Sequence, residues 1–145
     1  MTTATRFVTW VLPSLLALAP PAAAQLAPRC AACHLPTGAG VPGSFPSLRG
    51  TTAILAAKPE GRRYLVLAIT RGLSGPILSG SEAFRGVMPA QAAMTDADIA
   101  ENLNVLIATG GPAAQHFTVP EVSQLRLSGE KLSAAEVARL RPTIK

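Results

Sequence analysis

Two stretches of this chain carry a helical rhythm of apolar positions. From Thr95 to Thr109, Ile99, Leu103, Leu106 and Ile107 recur at the spacing that lines one face of an α-helix. Thr95 can cap that helix, Asp96 and Asp98 favour the positive end of its dipole, and Gly110-Gly111 terminates it. From Pro59 to Arg71, Tyr64, Leu67 and Ala68 mark one face, with proline and Glu60 at the start and Gly72 as the stop. It is the first clear helix in the chain. Leu35–Gly50 and Gly72–Pro89 are broken too often by glycine and proline to be regular and read as loops. No alternating run is long enough to predict a strand. Beyond Gly111 the pattern Glu121-Val122-Ser123-Gln124-Leu125-Arg126 returns as Glu136-Val137-Ala138-Arg139-Leu140-Arg141. Ser133 and Glu136 form a capping box for the second copy. Two helices this short are marginal alone, so residues 112–145 are expected to be a helical extension packed on the body or on a partner, the body preferred.

The N-terminus has a different pattern. Arg6 precedes an apolar stretch from Phe7 to Ala19, then Pro20-Pro21-Ala22-Ala23-Ala24-Gln25. The apolar run is about thirteen residues, interrupted by Pro13, whereas a membrane span needs about twenty. Residues 1–24 therefore read as a signal peptide cleaved near Ala24, and a membrane association is expected only if the leader is kept. Without the leader four aromatics remain: Phe45, Tyr64, Phe84 and Phe117. That is thin for the core of one domain, and a buried cofactor would supply the missing apolar surface.

Thirteen Lys and Arg stand against eight Asp and Glu, a formal net charge of +5. The excess lies between Arg49 and Arg85, where Arg49, Lys58, Arg62, Arg63, Arg71 and Arg85 face only Glu60 and Glu82. This stretch is either a solvated face or a docking patch for an acidic partner. No run of basic residues interleaved with aromatics suggests nucleic acid.

The chemistry concentrates in Cys30-Ala31-Ala32-Cys33-His34. A Cys-x-x-Cys-His run places two thiols to add across the vinyl groups of one porphyrin, with an imidazole next in line for its iron. Other uses of the pair fit less well. A structural zinc would need two more ligands, yet the chain has no other cysteine and one other histidine, His116. A thioredoxin-like pair would follow a strand in a βαβ pattern, which is absent from the sequence. A plain disulfide suits an exported protein but leaves His34 unexplained. For a sixth iron ligand Met88 is the candidate, because a thioether favours ferrous iron and closes the metal to outside ligands. Gly86 and Pro89 would shape a tight loop around it. Met94 is the rival but reads more simply as a core filler, and His116 as an ordinary polar residue.

The order Cys-x-x-Cys-His, Phe45-Pro46-Ser47-Leu48-Arg49-Gly50, Gly86-Val87-Met88-Pro89, then a helix opening Thr95-Asp96-Ala97-Asp98-Ile99 resembles a class I, monohaem c-type cytochrome over roughly residues 29–110. The resemblance implies an all-α cytochrome c fold, a small helical domain (25–111) wrapped around one covalent haem c and its iron. Carried over by position, Cys30 and Cys33 hold the haem, His34 and Met88 ligate the iron, the Pro46 carbonyl orients His34, and Arg49 pairs with a propionate. Members usually have a helix well ahead of the first cysteine; Gln25–Arg29 leaves room only for a short one. A chain cut after Gly111 is expected to keep its haem. The function implied is one-electron transfer in the periplasm, with no catalysis of its own. A dehydrogenase or upstream complex would be the donor, and a cytochrome or oxidase the acceptor. The alternative is a dedicated electron-transfer subunit of a sulfite, alcohol or thiosulfate dehydrogenase.

Overall fold

A computed structural model describes residues 25–110 and 115–144. The leader, its cleavage point and Gly111 lie outside the described residues. Three segments fold as the sequence reading expects. Helix α3 (Pro59–Arg71) has Pro59 in its first turn and Gly72 at its C-terminus, and α4 (Asp96–Ala108) follows the Thr95 cap. The cap is reciprocal: Asp98 N–H donates to Thr95 Oγ1 and Thr95 N–H to Asp98 Oδ2, both at 3.1 Å. In the C-terminal arm, α5 (Val119–Leu127) starts at Thr118 and α6 (Ala134–Arg139) at the Ser133–Glu136 capping box.

Two elements differ from expectation, and one is as short as the sequence allows. A short helix α1 (Pro28–His34) carries the cysteines and begins only two residues before the first of them. Helix α2 (Thr51–Ala56) was not visible in the sequence; it is six residues long with no side-chain cap. What stabilises it is tertiary: Thr52, Ala53, Leu55 and Ala56 are buried where it meets α3 and α4. The expected loop from Gly72 to Pro89 is a nested antiparallel hairpin, so the fold is helical with short strands rather than all-α. Its outer pair joins β1 (Leu73–Ser74) to β4 (Val87–Met88), and its inner pair joins β2 (Ile77–Ser79) to β3 (Glu82–Phe84). Strands of two or three residues are too short to leave an alternation in the sequence.

Helix α3 sits at the centre. Only one of its faces was expected inside, but Tyr64, Leu65, Val66, Leu67 and Ala68 are all buried. The reason is that α2 and α4 lie against it and so do α5 and α6 of the arm. One apolar cluster runs through Leu55, Leu67, Met94, Ile99 and Leu103 and on into Phe117, Val122 and Val137. The described core thus crosses the domain boundary placed at residues 111 and 112.

Arginines fasten the arm. Arg62 makes a two-pronged bond to Glu121 (2.5 and 2.6 Å), donates to the Gln115 carbonyl, and lies 3.8 Å above the Phe117 ring. Arg63 donates to Ser128 and Arg71 to the Leu132 carbonyl. Arg126 returns the contact, donating to the Met94 carbonyl and lying 2.8 Å from Asp96 as an ion pair too bent for a hydrogen bond. Half of the basic stretch 49–85 therefore faces the chain's own arm.

Candidate haem site

Helical spacing puts Cys30 and Cys33 on one face of α1, with His34 one turn beyond Cys30. The short helix is pinned at both ends. At its start, Ala27 N–H donates to the buried Asn102 Oδ1 at 2.8 Å, joining α1 to α4. At its end Leu35 takes a left-handed conformation (φ 65°) and turns the chain back, so that Leu26 N–H reaches the Pro36 carbonyl.

His34 is buried, with Nδ1 3.0 Å from the Pro46 carbonyl. A carbonyl only accepts, so Nδ1 carries the proton and Nε2 keeps its lone pair. Burial pushes the imidazole below its ordinary pKa, opposed by the bond to Pro46, and the neutral form is the one that binds metal. Gly40 makes this approach possible. Its φ is 70°, and a Cβ there would lie 2.6 Å from the Pro46 carbonyl carbon.

Beside His34 opens a cleft of about 1450 Å³, its solvent-facing mouth included. Leu48 and Leu55, Tyr64, Leu65 and Ala68 of α3, Leu103 and Leu106 of α4, and Phe84 of the hairpin line it. Both cysteines, Pro46 and Met88 line it too. Met88 is half-buried on β4, paired with Leu73 rather than held in the tight loop expected. Gly72 lies behind it at φ 75°, and any side chain at that glycine would strike the Met88 carbonyl oxygen. The same glycine that stops α3 thus seats the strand carrying the thioether.

Other candidates lie elsewhere. Met94 is buried in the core cluster and does not line the cleft. His116 is exposed, on the arm. Arg49 is exposed and is not among the cleft residues; the basic residues there are Arg29 and Arg141. Arg141 comes from the arm, donating to the Leu78 carbonyl at 2.6 Å and to the Tyr64 hydroxyl at 3.1 Å. Burial raises the Tyr64 pKa, with Arg141 opposing, so the phenol keeps its proton. The end of a repeat with no ligand motif gave no signal for this residue.

The donor set fits a covalently attached porphyrin. The two thiols are half-buried on one helical face, and burial raises the Cys30 pKa against the pull of Arg29. A neutral imidazole and a thioether share a broad, mostly apolar cleft with them. Residues 22–104 match the family described as cytochrome c. A cytochrome c-552 of Thermus thermophilus is 39% identical over 127 residues, covering 84% of this chain and 84% of the relative. A second cytochrome c-552 of Thermus thermophilus is 38% identical over 119 residues, covering 79% of this chain and 89% of the relative. A match covering 84% of the chain cannot be contained in residues 1–111 and so reaches the arm. This chain belongs to the cytochrome c family, as a class I c-type cytochrome carrying covalent haem c.

Proposed function

We propose that this cytochrome is a periplasmic carrier of single electrons whose haem iron is ligated by His34 and Met88. As a member of its family the chain is an electron-transfer protein. The haem iron supplies a one-electron ferrous–ferric couple. Cys30 and Cys33 hold the ring by thioether bonds. His34 offers Nε2 while the Pro46 carbonyl fixes its tautomer and strengthens it as a donor. Met88 would offer its thioether as the second protein ligand and favour the reduced state. The mostly apolar walls would lower the polarity around the iron. With both protein ligands supplied by the chain, it would have no catalysis of its own. The leader supports export, because covalent haem attachment in bacteria takes place outside the inner membrane.

The observation that carries this reading is the presence of Met88 and His34 in one cleft while Met94 is held in the core. It is tested by replacing each methionine. Met88→Ala is expected to lower the reduction potential and to let carbon monoxide bind the ferrous protein. Met94→Ala is expected to cost about 2–5 kcal/mol of stability and leave the iron closed. Carbon monoxide binding in Met94→Ala but not in Met88→Ala would reverse the assignment.

A dehydrogenase or upstream complex as donor and a cytochrome or oxidase as acceptor are the partners this role requires. The arm's apolar anchors Phe117, Val122 and Val137 lie in the chain's own core. That favours a diffusible carrier over a permanent dehydrogenase subunit docked through the arm. Mild affinity purification from the native periplasm tests it: a stoichiometric dehydrogenase partner would make the chain a subunit instead.

A further inference from the structure

We infer that Glu82 is a positioning residue for the thioether ligand: its carboxylate clasps the hairpin that carries Met88 to the loop that holds His34. Both segments line the cleft, the loop with Ser44, Phe45 and Pro46 and the hairpin with Ile77, Phe84 and Met88. Among the described residues a single hydrogen bond joins residues 35–50 to residues 72–89. In it Gly43 N–H donates to Glu82 Oε1 at 2.7 Å. Both residues are exposed and neither lines the cleft, so the clasp acts from outside the pocket.

Each end of the clasp belongs to the support of one ligand. Gly43 is the tip of a closed turn: Val41 and Phe45 exchange both backbone bonds at 2.8 Å, and Gly43 takes a φ of 74° between them. Its N–H has no backbone acceptor within that turn and is left for Glu82. Directly after Phe45 comes Pro46, whose carbonyl accepts from His34 Nδ1. At the other end Glu82 opens β3, pairs with Ser79 of β2, and leads through the buried Phe84 to Met88 on β4. Strand β4 has two residues and pairs with Leu73 and Ser74 alone, so few local bonds hold the thioether in place. Arg141 holds the hairpin at the Leu78 carbonyl of β2; Glu82 holds it on β3. The charge of Glu82 has no other use in the structure. It is one of two acids in the basic stretch 49–85, yet it has no cationic partner among the described residues. Glu60, the other acid, lies in the first turn of α3, where the helix dipole favours it. Glu82 lies on a three-residue strand, and the ionised carboxylate strengthens its bond to an N–H.

The inference rests on the reading of Met88 as an iron ligand. Its test is the binding of added imidazole to the ferric holoprotein, followed by absorbance in stopped flow. Imidazole reaches the iron only when Met88 has withdrawn, so its apparent affinity falls with the fraction of open molecules, and its limiting rate is the rate of opening. Glu82→Ala is expected to raise that limiting rate and tighten apparent binding, each several-fold, with the midpoint of denaturant unfolding close to wild type. Glu82→Gln keeps an acceptor oxygen and restores most of the wild-type behaviour. Glu60→Ala removes the same charge from the basic stretch and leaves imidazole binding unchanged. Amide exchange at Gly43 reads the bond itself and is expected to quicken several-fold in Glu82→Ala. Wild-type imidazole binding in Glu82→Ala overturns the inference, and so does an unchanged Gly43 exchange rate. An equal rise in Glu60→Ala also overturns it, because net charge and not the clasp would then be the cause. Failure of the Met88 reading shows elsewhere, as a Met88→Ala protein still closed to carbon monoxide. Failure of this inference alone leaves Met88→Ala open and Glu82→Ala like wild type.

Discussion

The two copies of the repeat in the arm place one residue alike and their charged ends differently. Val122 and Val137 are both fully buried, and both belong to the one core cluster. Around them the copies diverge. Glu121 reaches across to Arg62, whereas Glu136 turns back to cap α6. Arg126 pairs with Asp96 and the Met94 carbonyl, whereas Arg141 goes to the hairpin and Tyr64 at the cleft. Leu125 packs on the core and Leu140 is exposed. An apolar anchor needs only the side of its helix that faces the body, which helical spacing provides. A charged group needs a particular partner, and each copy lies beside different ones.

The sharpest challenge to that comparison is to remove both copies at once. Cutting the chain after Gly111 takes away Phe117, Val122 and Val137 and leaves α3 bare on one side. Each buried apolar side chain contributes about 1.5–3 kcal/mol, and whole domains are stable by only about 5–15 kcal/mol. The truncated chain is expected to lose cooperative thermal unfolding and most of its haem incorporation. This reverses the expectation from sequence. A truncated protein that melts like the full chain would show the arm to be dispensable.

Next come the anchors one at a time. Val122→Ala and Val137→Ala are each expected to cost about 2 kcal/mol in denaturant unfolding, and to cost it equally. A large loss in one and none in the other would mean that only one copy anchors the arm.

The smallest effect separates the glutamates. The hydrogen bonds from Arg62 hold the Glu121 carboxyl below its ordinary pKa, opposed by partial burial. A lowered folded-state pKa stabilises above the unfolded value and loses that contribution as pH falls through the folded one. Glu121→Gln is therefore expected to be less stable than wild type at neutral pH, with the gap closing in acid. Its measure is the thermal midpoint against pH. A gap that persists unchanged in acid would mean that the ion pair with Arg62 is not its source.

Legibility followed the range of the interaction. The thiols and imidazole of α1, the Thr95 and Ser133 caps, and the proline and glycine that bound α3 each depend on residues within one or two turns. Helix α2 and the nested hairpin have no such local signature; one is induced by burial against α3 and α4, the other by pairings between strands of two or three residues. The basic stretch misled for the same reason. Arg62, Arg63 and Arg71 look like surface charge, but their acceptors lie about sixty residues further on, and several are backbone carbonyls that no sequence pattern marks.

By itself the sequence determined the covalent chemistry, because two cysteines and a histidine on consecutive helical turns leave little choice of cofactor. It also determined the main helices, whose caps and apolar faces are local properties of the chain. Only the tertiary structure decided which methionine shares the cleft with His34, that the arm completes the core around α3, and that the cleft's half-buried arginine is Arg141 rather than Arg49. Those outcomes depend on surfaces brought together from distant parts of the chain, and a side chain's partners there are set by packing rather than by its neighbours in sequence.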